Sequence, residues 1–432
     1  MKIRPAITVR GDIELPGDKS ISHRAAMISA IATGSSRIGN FAKSADCEST
    51  LSCLKELGVR ISRSGSETVI DGRGKYGLIA PSVPLDCGNS GTTMRLLAGI
   101  LAGQPFRSEL IGDESLSKRP MRRVIEPLVR MGCDIASHNG TAPLQIIGSR
   151  PLSAIMYEMP VSSAQVKSCV LMAGLFGDGT TKVTERTMTR DHTERMLLRF
   201  GARITETVTG SEKSISIEGS SELHAAEIRI PGDISGAAFF VAAAAGLVGS
   251  HVKIRNVGLN PTRTAYLDVL RRIGANFAIS DTDDSSGEPV GTLDIFGRDL
   301  GPSDTPELIH GQDIPNLIDE IPILAVLGTR LPGGLEVRDA AELRVKESDR
   351  IAAVVENLTR MGAHVEEFAD GFRVSRSELM GAEIESFGDH RIAMAFAVAG
   401  LFAQGETNIL RPECVAVSFP NFFDQLDRVA IR

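Results

Sequence analysis

The chain has 432 residues, 42% of them hydrophobic and 23% charged, which gives length for more than one core and excludes disordered and fibrous classes. A formal net charge of −7, no tryptophan and only 4% aromatic residues rule out a global cationic field and leave few rings for stacking bases, so small ligands are better partners than nucleic acid or membranes. Six cysteines, Cys47, Cys53, Cys87, Cys133, Cys169 and Cys414, are scattered without a CxxC pair and read as reduced, mostly buried thiols.

The opening MKIRPAITVRGDIELPG breaks any apolar run with charges and prolines, so no targeting segment and a cytoplasmic location are expected. From Gly17 a turn leads into GDKSISHRAAMISAIA, a run of small apolar residues at helical length. The same kind of segment returns as GNSGTTMRLLAGILAG near Gly88, VSSAQVKSCVLMAGL near Val161, GDISGAAFFVAAAAGL near Gly232, IPNLIDEIPILAVLG near Ile314 and GDHRIAMAFAVAGLFA near Gly388. The starts are roughly 70 to 80 residues apart, longer than common solenoid units. Gly236 to Gly249 is the longest apolar stretch, and it is too short to span a bilayer.

Between these segments a second one recurs: CLKELGVRI, PLVRMGCDI, LLRFGARI, VLRRIGANF and NLTRMGAHV, amphipathic helices that stop at Gly58, Gly132, Gly201, Gly274 and Gly362 and run into half-buried strands. A sixth copy, FFDQLDRVAIR, is cut short by the chain end. A helix that is apolar nearly all round cannot be buried by one repeat, so three repeats around a shared bundle, twice over, is the simplest packing, with a hinge near Pro231 and Gly232. Parallel buried helices would gather their N-termini, a setting suited to anions.

Chemistry-bearing residues crowd those helix starts. Lys19, Ser20 and Arg24 open the first; Gly88, Asn89 and Gly91 offer backbone N–H groups at the second, with Arg119 beyond; Ser162, Ser163, Gln165 and Lys167 open the third, followed by Arg190. Lys346, Glu347 and Arg350 stand in ELRVKESDR, and Asp389, His390 and Arg391 open the last. Cations at a helix N-terminus oppose its dipole, so their repeated placement predicts bound anions; any one alone reads equally well as a surface ion pair or a cap. No GxxxxGK[ST] loop occurs, and His23, His192 and His390 stand apart from the cysteines, so neither a nucleotide, a metal nor another cofactor is expected.

LPGDKSISHR, DCGNSGTTMRLL, SLSKRPM, SAQVKS, LRVKESDR and GDHRIAM stand in an order and spacing that closely resemble the 5-enolpyruvylshikimate-3-phosphate synthases along essentially the whole chain, with SAQVKS and RDHTE similar to the variant called class II. The resemblance implies a mixed α/β (α+β) fold of two globular domains, each of three βαβαββ units, that close on the ligands. Residues 1–18 plus 232–432 are then the discontinuous domain I and 19–231 domain II, with hinges near 17–20 and 229–233. It implies transfer of the enolpyruvyl group of phosphoenolpyruvate to the 5-hydroxyl of shikimate 3-phosphate by a monomer.

On the same resemblance, shikimate 3-phosphate contacts Lys19, Ser20, Arg24, Ser162, Ser163, Gln165, Arg190, Asp319 and Lys346. Phosphoenolpyruvate contacts Lys19, Asn89, Gly91, Arg119, Gln165, Arg350, His390 and Arg391, and glyphosate competes at Gly91. The substrates together carry about six negative charges, which the lysines and arginines of these sets would meet. Glu347 is the implied acid at C3 and Asp319 the implied base for the hydroxyl, assisted by Lys19. One departure is Val417, where many family members have a lysine before FP; Lys167 or a neighbouring basic residue is the expected substitute cation. The related transferase that loads UDP-N-acetylglucosamine expects Asn where Ser20 stands and a loop cysteine that SLSKRPM lacks.

Overall fold

Five of the six apolar segments become helices that open on a side-chain cap, in a computed structural model that describes residues 1–432 apart from Ser211, Ser285 and Pro302. Asp18, Ser90, Ser163, Asp233 and Asp389 each accept a backbone N–H in the first turn of Lys19–Ile31, Gly91–Ala102, Ala164–Gly174, Ile234–Gly246 and His390–Phe402. The remaining one, Ile321–Gly328, starts with proline in its first turn. The amphipathic helices end as expected: Gly58, Gly132, Gly201, Gly274 and Gly362 all have φ between +73° and +93°.

The chain divides into two units, one of Met1–Pro16, Pro231–Asp284 and Pro289–Arg432, the other of Gly17–Ile230 with the short stretch ending at Glu288. The second unit holds three four-stranded sheets of one design. Glu227–Arg229 pairs parallel with Thr33–Gly39, which pairs antiparallel with Glu67–Arg73, and that in turn with Arg60–Ser64. The sheets built on Arg107–Ile111 and Thr180–Glu185 repeat the pattern, one parallel junction and then two antiparallel ones. In the first unit, Glu307–Ile309, Leu335–Val337, Gly371–Val374 and Val365–Phe368 follow it again.

Two exchanges depart from strict repetition. Thr8–Ile13, the strand before helix Lys19–Ile31, pairs with His251–Gly258 in the first unit, whereas Glu227–Arg229, the strand before helix Ile234–Gly246, stays in the second. The sixth repeat, short in sequence, is completed from the other chain end: Lys2–Ile3 pairs with Thr407–Leu410, and the final strand Ala430–Ile431 pairs with Thr8–Ile13.

Each unit has its own core. In the first, all thirteen residues of Ile234–Gly246 are buried, and Phe239 and Phe240 pack edge-on or tilted against Phe419 and Phe422. In the second, helices Gly91–Ala102 and Ala164–Gly174 approach so closely that a Cβ at Gly99 would stand 2.3 Å from the Cys169 carbonyl oxygen. Small residues in the apolar runs thus set how near the buried helices lie. No helix among the described residues is long and apolar enough to cross a membrane.

Candidate active site

In the unit built on Gly17–Ile230, three helix starts bring the sequence-derived residues into short-range contact. Lys19, first in its helix, donates to Asp46 at 3.0 Å, with both side chains largely buried. Arg24 is one turn further and is buried, donating from Nη1 to the Ser20 carbonyl (2.9 Å), from Nη2 to Ser168 Oγ (2.8 Å) and from Nε to Thr193 Oγ1 (2.6 Å). Burial pulls its guanidinium down to about 10, with Glu194 and Asp18 opposing and Arg190 adding to the fall.

The helix beginning at Gly91 assembles a second group. Arg119, 7% exposed, donates to the Asn89 carbonyl at 3.1 Å, to Asn89 Oδ1 at 2.7 Å and to Ser115 Oγ at 3.0 Å. Arg95, one turn beyond Gly91, donates to Gln165 Oε1 at 2.8 Å, and Gln165 Nε2 donates to Thr92 Oγ1 at 3.0 Å. These two bonds fix which way the Gln165 amide faces. Ser163 is the cap of its helix, accepting from Val166 N at 3.4 Å, with half-buried Ser162 just before it. Arg190 is half-buried in the connection before helix His192–Arg199.

In the other unit one guanidinium organises the acidic residues. Arg350 is 1% exposed and donates from Nε to Asp389 (2.8 Å), from Nη2 to Glu347 (2.7 Å) and from Nη1 to Asp319 (3.3 Å). Against the burial that would lower it, Asp389, Glu347 and Asp319 hold Arg350 above its ordinary range. Arg391 Nη2 lies 3.9 Å from Asp319, and Arg391 and His390 are both buried in the first turn of their helix. Lys346 is 3.7 Å from Glu342; burial lowers its ammonium, countered by Glu342, Asp319 and Glu347.

Lys167 corrects the sequence reading. Its side chain is fully buried between Glu185 (3.0 Å) and Glu194 (2.8 Å), so it is not a cation available to a ligand and cannot stand in for the lysine missing at Val417. Sequence reasoning also passes over Asp46 and Arg95. The i,i+4 spacing of Gly91 and Arg95 was a usable signal, whereas Asp46 carries none beyond its place in a capped helix. All six cysteines are free, and all but Cys414 are buried. Among the described residues no three His, Cys, Asp or Glu side chains are grouped to hold a metal ion.

The family model described as EPSP synthase (3-phosphoshikimate 1-carboxyvinyltransferase) matches residues 3–426. The chain belongs to the EPSP synthase family. Among its relatives, the 3-phosphoshikimate 1-carboxyvinyltransferase of Solibacter usitatus is 50% identical over 431 residues, covering 99% of each chain. That of Koribacter versatilis is 51% identical over 434 residues, covering 100% of this chain and 99% of its own. The solved EPSP synthase of Acinetobacter baumannii, 41% identical, superposes with a TM-score of 0.86 over 100% of this chain and 98% of its own. The fold is therefore that of the EPSP synthases, and the chain is an enzyme of this family.

Proposed function

We infer that the chain is a 3-phosphoshikimate 1-carboxyvinyltransferase, moving the enolpyruvyl group of phosphoenolpyruvate to the 5-hydroxyl of shikimate 3-phosphate with release of phosphate. The observation that carries the residue assignment is that Asp319 and Glu347, the two carboxylates such a reaction needs, both accept from the same buried guanidinium of Arg350. Glu347 delivers a proton to C3 of phosphoenolpyruvate while Asp319, assisted by Lys19, takes the proton of the attacking hydroxyl. The hydroxyl oxygen bonds to C2, giving a tetrahedral adduct. Glu347 then recovers a proton from C3 as the C2–O bond to phosphate breaks, which restores the double bond.

Lys19, Ser20, Arg24, Ser162, Ser163, Gln165, Arg190, Asp319 and Lys346 are assigned to shikimate 3-phosphate. Lys19, Asn89, Gly91, Arg119, Gln165, Arg350, His390 and Arg391 are assigned to phosphoenolpyruvate. The geometry supports these sets unevenly: Gly91, Asn89 and Arg119 adjoin one another, whereas Arg24 spends three donors on protein groups. The working state is a cytoplasmic monomer of class II that needs no cofactor. Purified protein mixed with both substrates, without metal or nucleotide, should release phosphate in step with a product whose mass matches the enolpyruvyl ether. Phosphate release without that ether overturns the assignment.

A further inference from the structure

Lys167 has no place in the mechanism, yet its surroundings are built with care. A lysine with 0% side-chain exposure is rare and must be paired. Its ammonium donates to Glu185 Oε1 at 3.0 Å and to the Thr189 carbonyl at 3.2 Å, and lies 2.8 Å from Glu194 Oε1. The other oxygen of Glu185 accepts from Thr189 twice, from its backbone N–H at 3.1 Å and its hydroxyl at 2.7 Å. Thr189 is therefore held on both sides of its backbone, by Glu185 at the N–H and by Lys167 at the C=O. The next residue is Arg190.

The neighbours of the pair reach the other guanidinium. Thr193, beside Glu194, and Ser168, beside Lys167, bond to each other at 2.6 Å, and Arg24 donates to both. Glu194 is also the charge that most supports the Arg24 guanidinium. Within the cluster, the charges of Lys167 and Arg24 match those of Glu185 and Glu194. Such a cluster is a poor device for stability, since apolar groups of the same volume serve as well or better, and the best reason to retain it is that it fixes a conformation.

We propose that Lys167 is a positioning residue for shikimate 3-phosphate, setting the backbone at Arg190 and the side chain of Arg24 without touching the substrate. The inference rests on the activity proposed above. It accounts for a lysine in SAQVKS that offers nothing to a ligand directly.

The test uses the full chain and calorimetric binding of shikimate 3-phosphate, with Michaelis constants for both substrates. Lys167→Met/Glu194→Gln keeps the buried charge balanced while removing the tether to Thr189. Glu185→Gln is nearly isosteric and keeps one acceptor oxygen where there were two, so Lys167 and Thr189 can no longer both be satisfied, and it serves if the double variant does not fold. Either variant should weaken shikimate 3-phosphate about tenfold, the size of one or two lost charge-assisted hydrogen bonds, and move the Michaelis constant for phosphoenolpyruvate much less. In an Arg190→Lys background the added loss should shrink, because both changes act through one contact. Unchanged shikimate 3-phosphate affinity, an equal rise for both substrates, or full additivity with Arg190→Lys overturns the positioning role. A wild-type enzyme that makes no enolpyruvyl ether overturns the activity and this inference together.

Discussion

Asp389 and Arg350 meet through both ends of the carboxylate: Oδ2 accepts Arg350 Nε at 2.8 Å and Oδ1 accepts Nη2 at 3.4 Å. The same Oδ1 accepts the backbone N–H of Arg391 at 2.8 Å, and Ser348 Oγ donates to Oδ2 at 3.1 Å. One residue thus caps the helix that begins at His390 and sets the guanidinium from which Glu347 and Asp319 hang. The start of a buried helix and the proposed proton carriers share a single buried charge pair.

Asp389→Asn separates these roles, because asparagine caps as well as aspartate but brings no charge to Arg350. Leaving a guanidinium that is 1% exposed without its most buried carboxylate should cost about 3 kcal/mol in urea unfolding. Asp349→Asn is the control: Asp349 caps helix Arg350–Arg360 and pairs with the more exposed Arg344, so its loss should stay under about 1 kcal/mol. Equal losses in the two variants would mean that the charge pair with Arg350 has no special weight.

Glu347→Gln should remove most turnover while leaving shikimate 3-phosphate binding largely intact. The amide keeps the shape and can still accept from Arg350, but it cannot shuttle a proton to C3. Incorporation of solvent deuterium into the methylene of phosphoenolpyruvate isolates that step. Exchange at the wild-type rate in the variant would exclude Glu347 as the donor.

Much of this architecture is written in the sequence because five of the six buried helices announce themselves twice, by a run of small apolar residues and by an Asp or Ser cap such as Asp18, Ser90 or Asp389. The glycines from Gly58 to Gly362 mark the ends of the amphipathic helices for an equally local reason, their positive φ. The exchange of strands at the chain ends has no such signature. Lys2–Ile3 and Ala430–Ile431 are two residues long, too short to show any periodicity, and their partners are hundreds of residues away. Lys167 misleads for another reason: near a helix start, a lysine facing a ligand and one sealed against Glu185 and Glu194 look the same in sequence. Only the carboxylates that surround it, contributed by a strand and by another helix, decide between them.

His23 makes folding sensitive to acid. It is fully buried with Nδ1 2.7 Å from Thr50 Oγ1, and that hydroxyl is 2.6 Å from Thr93 Oγ1, which donates to Ser90 Oγ. Because Thr93 spends its proton on Ser90, Thr50 donates to Thr93 and Nδ1–H donates to Thr50, a bond that the neutral ring and the cation make alike. Burial, with Lys19 and Arg24 adding to it, holds the imidazole well below its ordinary value near 6.5. The unfolded chain therefore takes up a proton that the folded one refuses. The stability from His23 is complete above about pH 6.5 and declines below it, by at most about 1.4 kcal/mol per pH unit. Urea unfolding between pH 7.5 and 5.5 should show a shallower decline for His23→Gln than for wild type, and parallel declines would assign the acid sensitivity to other groups.

Gly91→Ala bears on phosphoenolpyruvate and on glyphosate, which the family resemblance puts in the same place. Backbone freedom does not explain this glycine, because it is the first residue of a helix and its φ is not positive. Space does: a Cβ there would lie 2.5 Å from Arg95 Nη1 and 3.6 Å from Arg119 Nη1. Arg95 is the flexible end of a side chain and can move, but moving it disturbs its bond to Gln165, and the methyl then stands beside Arg119. The fold should therefore tolerate the change, with unfolding within about 1 kcal/mol of wild type. The Michaelis constant for phosphoenolpyruvate should rise several-fold and the inhibition constant for glyphosate by more, since the longer inhibitor has less room to adjust than the compact substrate. Arg95→Ala in the same background distinguishes the two routes. If the loss of phosphoenolpyruvate affinity comes from displacing Arg95, the two changes will be far from additive; if the methyl acts on the ligand directly, they will add. No change in either constant for Gly91→Ala would remove Gly91 from the site.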